Sequence, residues 1–117
     1  MLKIKRTNIS LTRGDSAYIT LTIKDGSGEI YDLNDGDKVS VQVRDAVNTG
    51  ALLFDGNISI SDDGEIIWYI KPSDTKNLEV GTYYYDAQLE MSNGDIFTFI
   101  SASTFKLLDE VTFTTKE

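Results

Sequence analysis

Residues 78–90 read LEVGTYYYDAQLE, and this stretch decides the fold that we expect for the whole chain. Leu78, Gly81 and Tyr83 have the spacing of a tyrosine corner, in which a tyrosine follows two residues after a glycine at the start of a strand. In sandwich folds the hydroxyl of that tyrosine bonds to upstream backbone and fixes the crossover between the two sheets. The stretch therefore favours a sandwich over a barrel. The alternative for Tyr83 is that it is an aromatic residue of a strand with no role in a corner.

On both sides of this stretch the sequence alternates between apolar and polar residues, which is the pattern of half-buried strands. The clearest inward face is formed by Val39, Val41 and Val43 in KVSVQVRD at 38–45, since β-branched residues suit a packed, pleated surface. The other predicted strands lie in LKIKRTNI at 2–9, SAYITLTIK at 16–24, EIYDL at 29–33, NISISDDGEIIWYI at 57–70 and DIFTFISASTFKL at 95–107. EVTFTT at 110–115 is predicted to be an edge strand or a frayed tail.

Turn residues separate these runs. Asn93-Gly94 is the strongest hairpin signal, and an Asp-Asp-Gly turn at 62–64 predicts a second hairpin. Pro72 interrupts strand pairing, and a single helical turn is predicted to follow it. The sequence thus predicts one domain over residues 1–117, an all-β, immunoglobulin-like antiparallel β-sandwich of seven to eight strands.

Composition excludes several kinds of function. The 117 residues include no cysteine and no histidine, so the commonest nucleophiles, general bases and metal ligands are missing. The net charge of −8 repels phosphate backbones and anionic lipid. We therefore expect no enzyme, no cofactor, no bound nucleic acid and no membrane.

An acidic stretch, DLNDGD at 32–37, resembles the start of a calcium-binding loop. The match fails in detail, because counting from Asp32 the glycine falls fifth rather than sixth and Val43 stands where glutamate belongs. Asp and Asn also favour turns through side-chain bonds to nearby backbone. We expect turn chemistry here rather than a metal site.

Arg13, Gly14 and Asp15 spell a tripeptide that integrins recognise on protruding loops. Here the tripeptide lies between two predicted strands that are separated by only a few residues, and glycine suits a tight turn in such a short connection. We expect Arg13, Gly14 and Asp15 to form a structural turn, with integrin binding as the alternative.

A carbohydrate-binding surface is a further possibility, since Tyr18, Trp68, Tyr69 and Tyr84 could together present an aromatic platform. The alternative for Trp68 is burial between two sheets, which is the ordinary place of a tryptophan in a sandwich.

The order of these features resembles the N-terminal domain of the baseplate upper protein of phages and prophages of Gram-positive bacteria. The resemblance is carried by residues 11–45 and 62–107, through Gly14-Asp15 before a Thr-rich strand, the step Asp32-Leu33, the strand ending at Arg44, and the step from Leu78 to Tyr83.

This resemblance implies a non-catalytic structural module of a phage tail or baseplate, made in the host cytoplasm and located in the virion. Its partners would be other tail or baseplate proteins, with a homo-oligomer as a further expectation. Sheet edges and exposed aromatics would form the contacts, and the resemblance makes Tyr18, Trp68 and Tyr84 the candidate contact residues. A carbohydrate-binding or adhesin-type sandwich module is the alternative function.

Overall fold

The computed structural model describes residues 3–5, 7–24, 27–46 and 50–109, which fold as an immunoglobulin-like β-sandwich. The elements in chain order are β1 (Lys3–Lys5), β2 (Asn8–Thr12), β3 (Ala17–Leu21), β4 (Lys38–Arg44), β5 (Leu52–Asp55), β6 (Asn57–Ile60), β7 (Ile66–Ile70), α1 (Pro72–Thr75), β8 (Gly81–Glu90) and β9 (Ile96–Leu108). The predicted sandwich and its immunoglobulin-like class are confirmed. The described residues form nine strands rather than seven or eight.

The strands form two sheets. One has the order β1-β2-β9-β8-β4-β5, and the other has the order β3-β7-β6. Neighbouring strands are antiparallel except β2 and β9, which are parallel. The prediction of a wholly antiparallel fold is wrong at this pair. No hairpin joins β2 to β9, because the chain leaves β2 for the opposite sheet, so their relative direction is not dictated by a turn.

The core fills the space between the sheets with inward-facing side chains from both layers. Trp68 on β7 and Phe105 on β9 are its largest fully buried side chains, with ring centroids 6.1 Å apart. The other core residues are Ile9, Leu11, Ala17, Ile19, Leu21, Ile23, Val41, Val43, Ile66, Ile70, Tyr85, Ala87, Leu89 and Leu107. The period-two pattern of the sequence is therefore also the pattern of burial.

Both predicted hairpins form. In the first, Ile60 lies opposite Ile66 and Gly64 takes a φ of 88° in the turn. In the second, Gly94 takes a φ of 97°, and Met91 and Asp95 close the turn through a bond from the Met91 N–H to the Asp95 carbonyl oxygen of 2.8 Å. The helical turn predicted after Pro72 is also present, as α1.

Two predicted strands differ. The run at 2–9 is not one strand, because the chain reverses between β1 and β2 and places Ile4 opposite Ile9. The alternation continues through this reversal, so periodicity does not reveal it. In the run at 29–33, Ile30 forms an isolated bridge with Lys24 and the remaining residues are irregular. The run at 110–115 lies outside the described residues.

Within the described ranges no helix has the length and apolar content needed to cross a membrane.

Candidate functional site

The tyrosine-corner residues lie at the entry to β8. The Tyr83 hydroxyl donates a hydrogen bond of 2.5 Å to the carbonyl oxygen of Glu79, four residues upstream. Leu78 packs against the core, and Gly81 is the first residue of β8. This is the hydrogen bond that characterises a tyrosine corner, and it holds the turn through which the chain enters the six-stranded sheet.

Tyr85, two residues further along, performs a different task inside the core. Its ring packs against Trp68 with centroids 5.3 Å apart, and its hydroxyl donates to the carbonyl oxygen of Thr7. Burial raises the pKa of Tyr85 to about 12, because a buried phenolate would lose its hydration. This residue therefore ties the segment before β2 to the middle of the sandwich.

Arg13, Gly14 and Asp15 form a tight turn. The Asp15 N–H donates to the Thr12 carbonyl oxygen at 3.1 Å, and Gly14 has the positive φ of 84° that a type II turn requires at its third position. The Gly14 N–H donates to the hydroxyl of buried Thr75 on α1 at 2.9 Å. The turn is therefore held against α1.

The arginine of this turn is also engaged. Its guanidinium donates to the carbonyl oxygen of Leu78 at 3.2 Å and forms an ion pair with Asp109 at 3.2 Å. The Arg13 side chain is 28% exposed. These contacts hold the arginine side chain against the domain, whereas integrins recognise the tripeptide on a mobile, protruding loop.

We expect Gly14→Ala to lower the free energy of unfolding by about 1–2 kcal/mol, because alanine is strained at a positive φ. Urea denaturation measures this loss. We expect Asp15→Glu to leave integrin-dependent adhesion of cells to the immobilised domain at the level of an uncoated surface, as for the unchanged chain. Adhesion above that level that Asp15→Glu abolishes would contradict the structural interpretation of the tripeptide.

The three candidate contact residues lie in three different places. Tyr18 is 69% exposed on the outer face of the three-stranded sheet, where it stacks on Tyr69 with centroids 4.6 Å apart. Tyr84 is half-buried on the outer face of the six-stranded sheet. Trp68 is fully buried between the sheets, so its prediction as a contact residue is wrong. Its sequence position already carried the signal, since Trp68 shares the parity of inward-facing Ile66 and Ile70.

This placement separates the four aromatics of the proposed carbohydrate platform. Tyr18 and Tyr69 lie on one outer face, Tyr84 lies on the opposite one, and Trp68 lies between them. Tyr84 lines a polar depression of about 310 Å³ together with Arg44 and other residues. The four rings therefore do not form one stacking surface.

The acidic stretch at 32–37 is organised by one carboxylate. Asp37 accepts hydrogen bonds from the Tyr31 hydroxyl at 2.7 Å, the Asn34 N–H at 2.9 Å and the Ser92 N–H at 3.2 Å. The bond from the Asn34 N–H, followed by that from the Tyr31 hydroxyl, lowers the pKa of Asp37, and the same carboxylate raises the pKa of Tyr31. Asp37 thus holds this loop against the turn between β8 and β9. Among the described residues no cluster of three or more acidic side chains is placed to hold a metal ion.

Among the described strands, none pairs with one side of the backbone at the start of β9. Residues 96–102 lie beside β8, whereas β2 pairs only with the later part of β9, from Phe105 to Leu108. Within the described residues no strand pairs with the side of residues 96–102 that faces away from β8. We call this side of residues 96–102 the open edge. Where β2 begins, the Thr104 N–H donates to the side chain of Asn8 at 3.1 Å, which closes the open edge at that end.

The pairing of β9 with β8 is irregular close to the point where β2 ceases to accompany β9. Between Tyr85 and Gln88 the register of β8 with β9 shifts twice, so β9 contains extra residues there. A bulge bends its strand and increases the local twist. The first part of β9 therefore takes a different course from the part that β2 accompanies.

The hydrogen-bonding direction of the open edge follows from the turn. Opposite residues in an antiparallel ladder alternate between hydrogen-bonded and non-hydrogen-bonded pairs. Met91 and Asp95, next to the turn, are a hydrogen-bonded pair. Phe97 opposite Leu89 is then hydrogen-bonded to β8, while Ile96 and Thr98 are not. The N–H and C=O groups of Ile96 and Thr98 therefore point away from β8, toward the open edge.

An apolar groove of about 410 Å³ borders this edge. Phe97 shares the inward parity of its partner Leu89, yet it is 54% exposed, and Ile96 on the other face is 58% exposed. The residues that line the groove are Ile23, Lys24, Tyr31, Leu89, Met91, Phe97, Thr98 and Phe99. The apolar inner face of the six-stranded sheet therefore extends to the open edge.

Sequence reasoning missed this site. The sequence placed residues 95–107 in a returning hairpin strand and did not single out Ile96, Phe97 or Phe99. A signal existed, because residues 96–105 contain no charged residue, and natural edge strands are commonly protected by lysine or proline. Which side of the strand stays unpaired depends on the sheet order, which the sequence did not provide.

No protein-family model and no curated protein matches the chain. Among solved structures, CopC from Methylosinus trichosporium OB3b is similar, with a TM-score of 0.50 and 15% sequence identity over 90% of this chain and 87% of that chain. Murine CRIg has a TM-score of 0.44 and 11% identity over 94% of this chain and 97% of that chain. At such low identity the likeness to CopC concerns the fold alone.

Proposed function

We propose that this chain is a non-catalytic protein–protein assembly module that binds its partner along the open edge of β9. The observation that carries the proposal is the backbone of residues 96–102, which no described strand pairs on its outer side, beside exposed Ile96 and Phe97. Exposed, uncharged edges readily pair with another chain. Added strands use such edges for main-chain hydrogen bonds, and neighbouring pockets supply specificity.

The assembly is a phage tail or baseplate, and the domain is located in the virion. This part of the proposal rests on the resemblance of residues 11–45 and 62–107 to the baseplate upper protein family. A structural role also agrees with a sequence that lacks histidine and cysteine. Carbohydrate binding has less support, because its four candidate aromatics are spread over two outer faces and the core.

Co-expression with the products of neighbouring genes tests the proposal. We expect one of them to co-purify with this chain in fixed stoichiometry. Thr98→Pro should weaken the complex at least about tenfold, because the ring removes an N–H at the open edge and obstructs an incoming strand. Sedimentation or titration calorimetry measures the affinity.

Thr98→Ala is the matched control, because it removes the hydroxyl but keeps the backbone N–H, and it should weaken the complex much less than Thr98→Pro does. An unchanged far-UV spectrum and melting temperature of Thr98→Pro establish that its fold is intact. A chain that stays monomeric with every neighbouring gene product, or that binds a glycan array instead, would contradict the proposal.

A further inference from the structure

The surroundings of the open edge carry information about the strand that would occupy it. The loop at 27–38 contributes Tyr31 to the groove, and the segment at 89–97 contributes Leu89, Met91 and Phe97. Together with Lys24, which also lines the groove, these two segments contain six acidic and two basic residues. The acids are Glu29, Asp32, Asp35, Asp37, Glu90 and Asp95, and Lys38 is the second base. These two segments and Lys24 therefore have a net charge of −4, half the net charge of the whole chain.

Three of these acids are placed close to the edge. Asp95 immediately precedes β9, and Glu90 lies opposite Ile96 in the register of β8 with β9. Asp37 is bound to the Ser92 N–H in the adjoining turn, and a carboxyl group with an ordinary or lowered pKa is ionised at neutral pH. A partner that reaches Ile96 therefore meets negative charge.

The groove selects apolar side chains. A strand added beside Ile96 and Thr98 would place alternate residues on the two faces of the sheet, and its inward residues would lie next to Phe97 over the groove. The exposed aromatic and aliphatic surface there offers contacts for branched or aromatic side chains.

We infer that the open edge binds an extended segment of another protein in which apolar residues alternate and lysine or arginine flanks them. The inference rests on the proposed function and names the chemistry of its partner. Complementary charge steers such a segment to the acidic end of the edge. Charge repulsion disfavours a second copy of this chain as the partner, because that copy has the same net charge of −8 and the same acidic segments.

Selection from a displayed library of random twelve-residue peptides on the purified full chain tests this. We expect the enriched peptides to alternate apolar residues and to contain lysine or arginine. A synthetic enriched peptide should bind at least tenfold more weakly to Thr98→Pro and to Phe97→Ala than to the unchanged chain. Thr98→Ala keeps the backbone N–H and should weaken binding much less than Thr98→Pro does. Exchanging its basic residues for glutamate should also weaken binding at least tenfold, and raising the salt concentration should weaken binding further.

Amide exchange gives a readout that a merely structural effect would not produce. In the complex, the amides of Ile96 and Thr98 should exchange more slowly, since their N–H groups would enter a new ladder. Enriched peptides without basic residues, peptides that bind Thr98→Pro equally well, or no enrichment would overturn the inference. So would a dimer of this chain that Thr98→Pro dissociates, although that dimer would leave the proposed assembly function standing.

Discussion

Replacing Trp68 by alanine is expected to lower the free energy of unfolding by about 3–5 kcal/mol, the range for truncating a large buried aromatic. Trp68 is fully buried and contacts the rings of Tyr85 and Phe105. A domain of this size is stable by only about 5–15 kcal/mol, so the variant should lose a large share of its stability. Urea denaturation followed by circular dichroism measures the loss.

Two variants make this result interpretable. Tyr18→Ala removes an exposed aromatic from an outer face, and we expect a loss of about 1 kcal/mol, from its stacking on Tyr69. Trp68→Phe keeps a ring in the core and removes an indole N–H that has no hydrogen-bond partner among the described residues, so its loss should lie between those of the two alanine variants. Equal losses for Trp68→Ala and Tyr18→Ala would contradict the burial of the tryptophan.

Gly56→Ala is expected to destabilise the fold by about 1–3 kcal/mol through overpacking. Gly56 connects β5 in one sheet to β6 in the other, and its N–H donates to the Val41 carbonyl oxygen at 2.7 Å. A β-carbon at this position would lie 2.8 Å from the β-carbon of Val41 and 3.0 Å from Nε1 of Trp68. Since both neighbours are buried, neither can move without disturbing the core.

Asp55→Ala is the control for this position, because its side chain is exposed one residue earlier and its loss should stay within about 0.5 kcal/mol. Urea midpoints of the two variants provide the comparison. If Gly56→Ala were as stable as Asp55→Ala, the chain would not pass as closely over Val41 as the structure shows. Glycine is thus required here by close packing rather than by a special backbone angle.

The two ends of β9 differ in the way they are protected. At its C-terminal end, β2 covers the strand and Arg13 in the adjoining turn pairs with Asp109. At its N-terminal end, the edge is unpaired within the described residues and borders an apolar groove. The candidate site therefore arises at the part of the strand that β2 does not reach.

Local sequence was sufficient wherever one residue or one period dictates the structure. The alternation around Val41 predicted which side chains of β4 would be buried, because successive residues of a strand face opposite sides. Gly94 determined a turn, and the spacing of Gly81 and Tyr83 predicted the corner, because these depend on residues only a few positions apart.

The tertiary structure alone decided what depends on residues far apart in the chain. It placed β2 parallel to β9, folded β1 back on β2, and brought Gly56 against Trp68. It also left residues 96–102 without a second neighbour among the described strands and set Phe97 beside Tyr31. Alternation has the same period in a covered strand and an open one, so only the order of strands in the sheet shows which backbone remains free to bind.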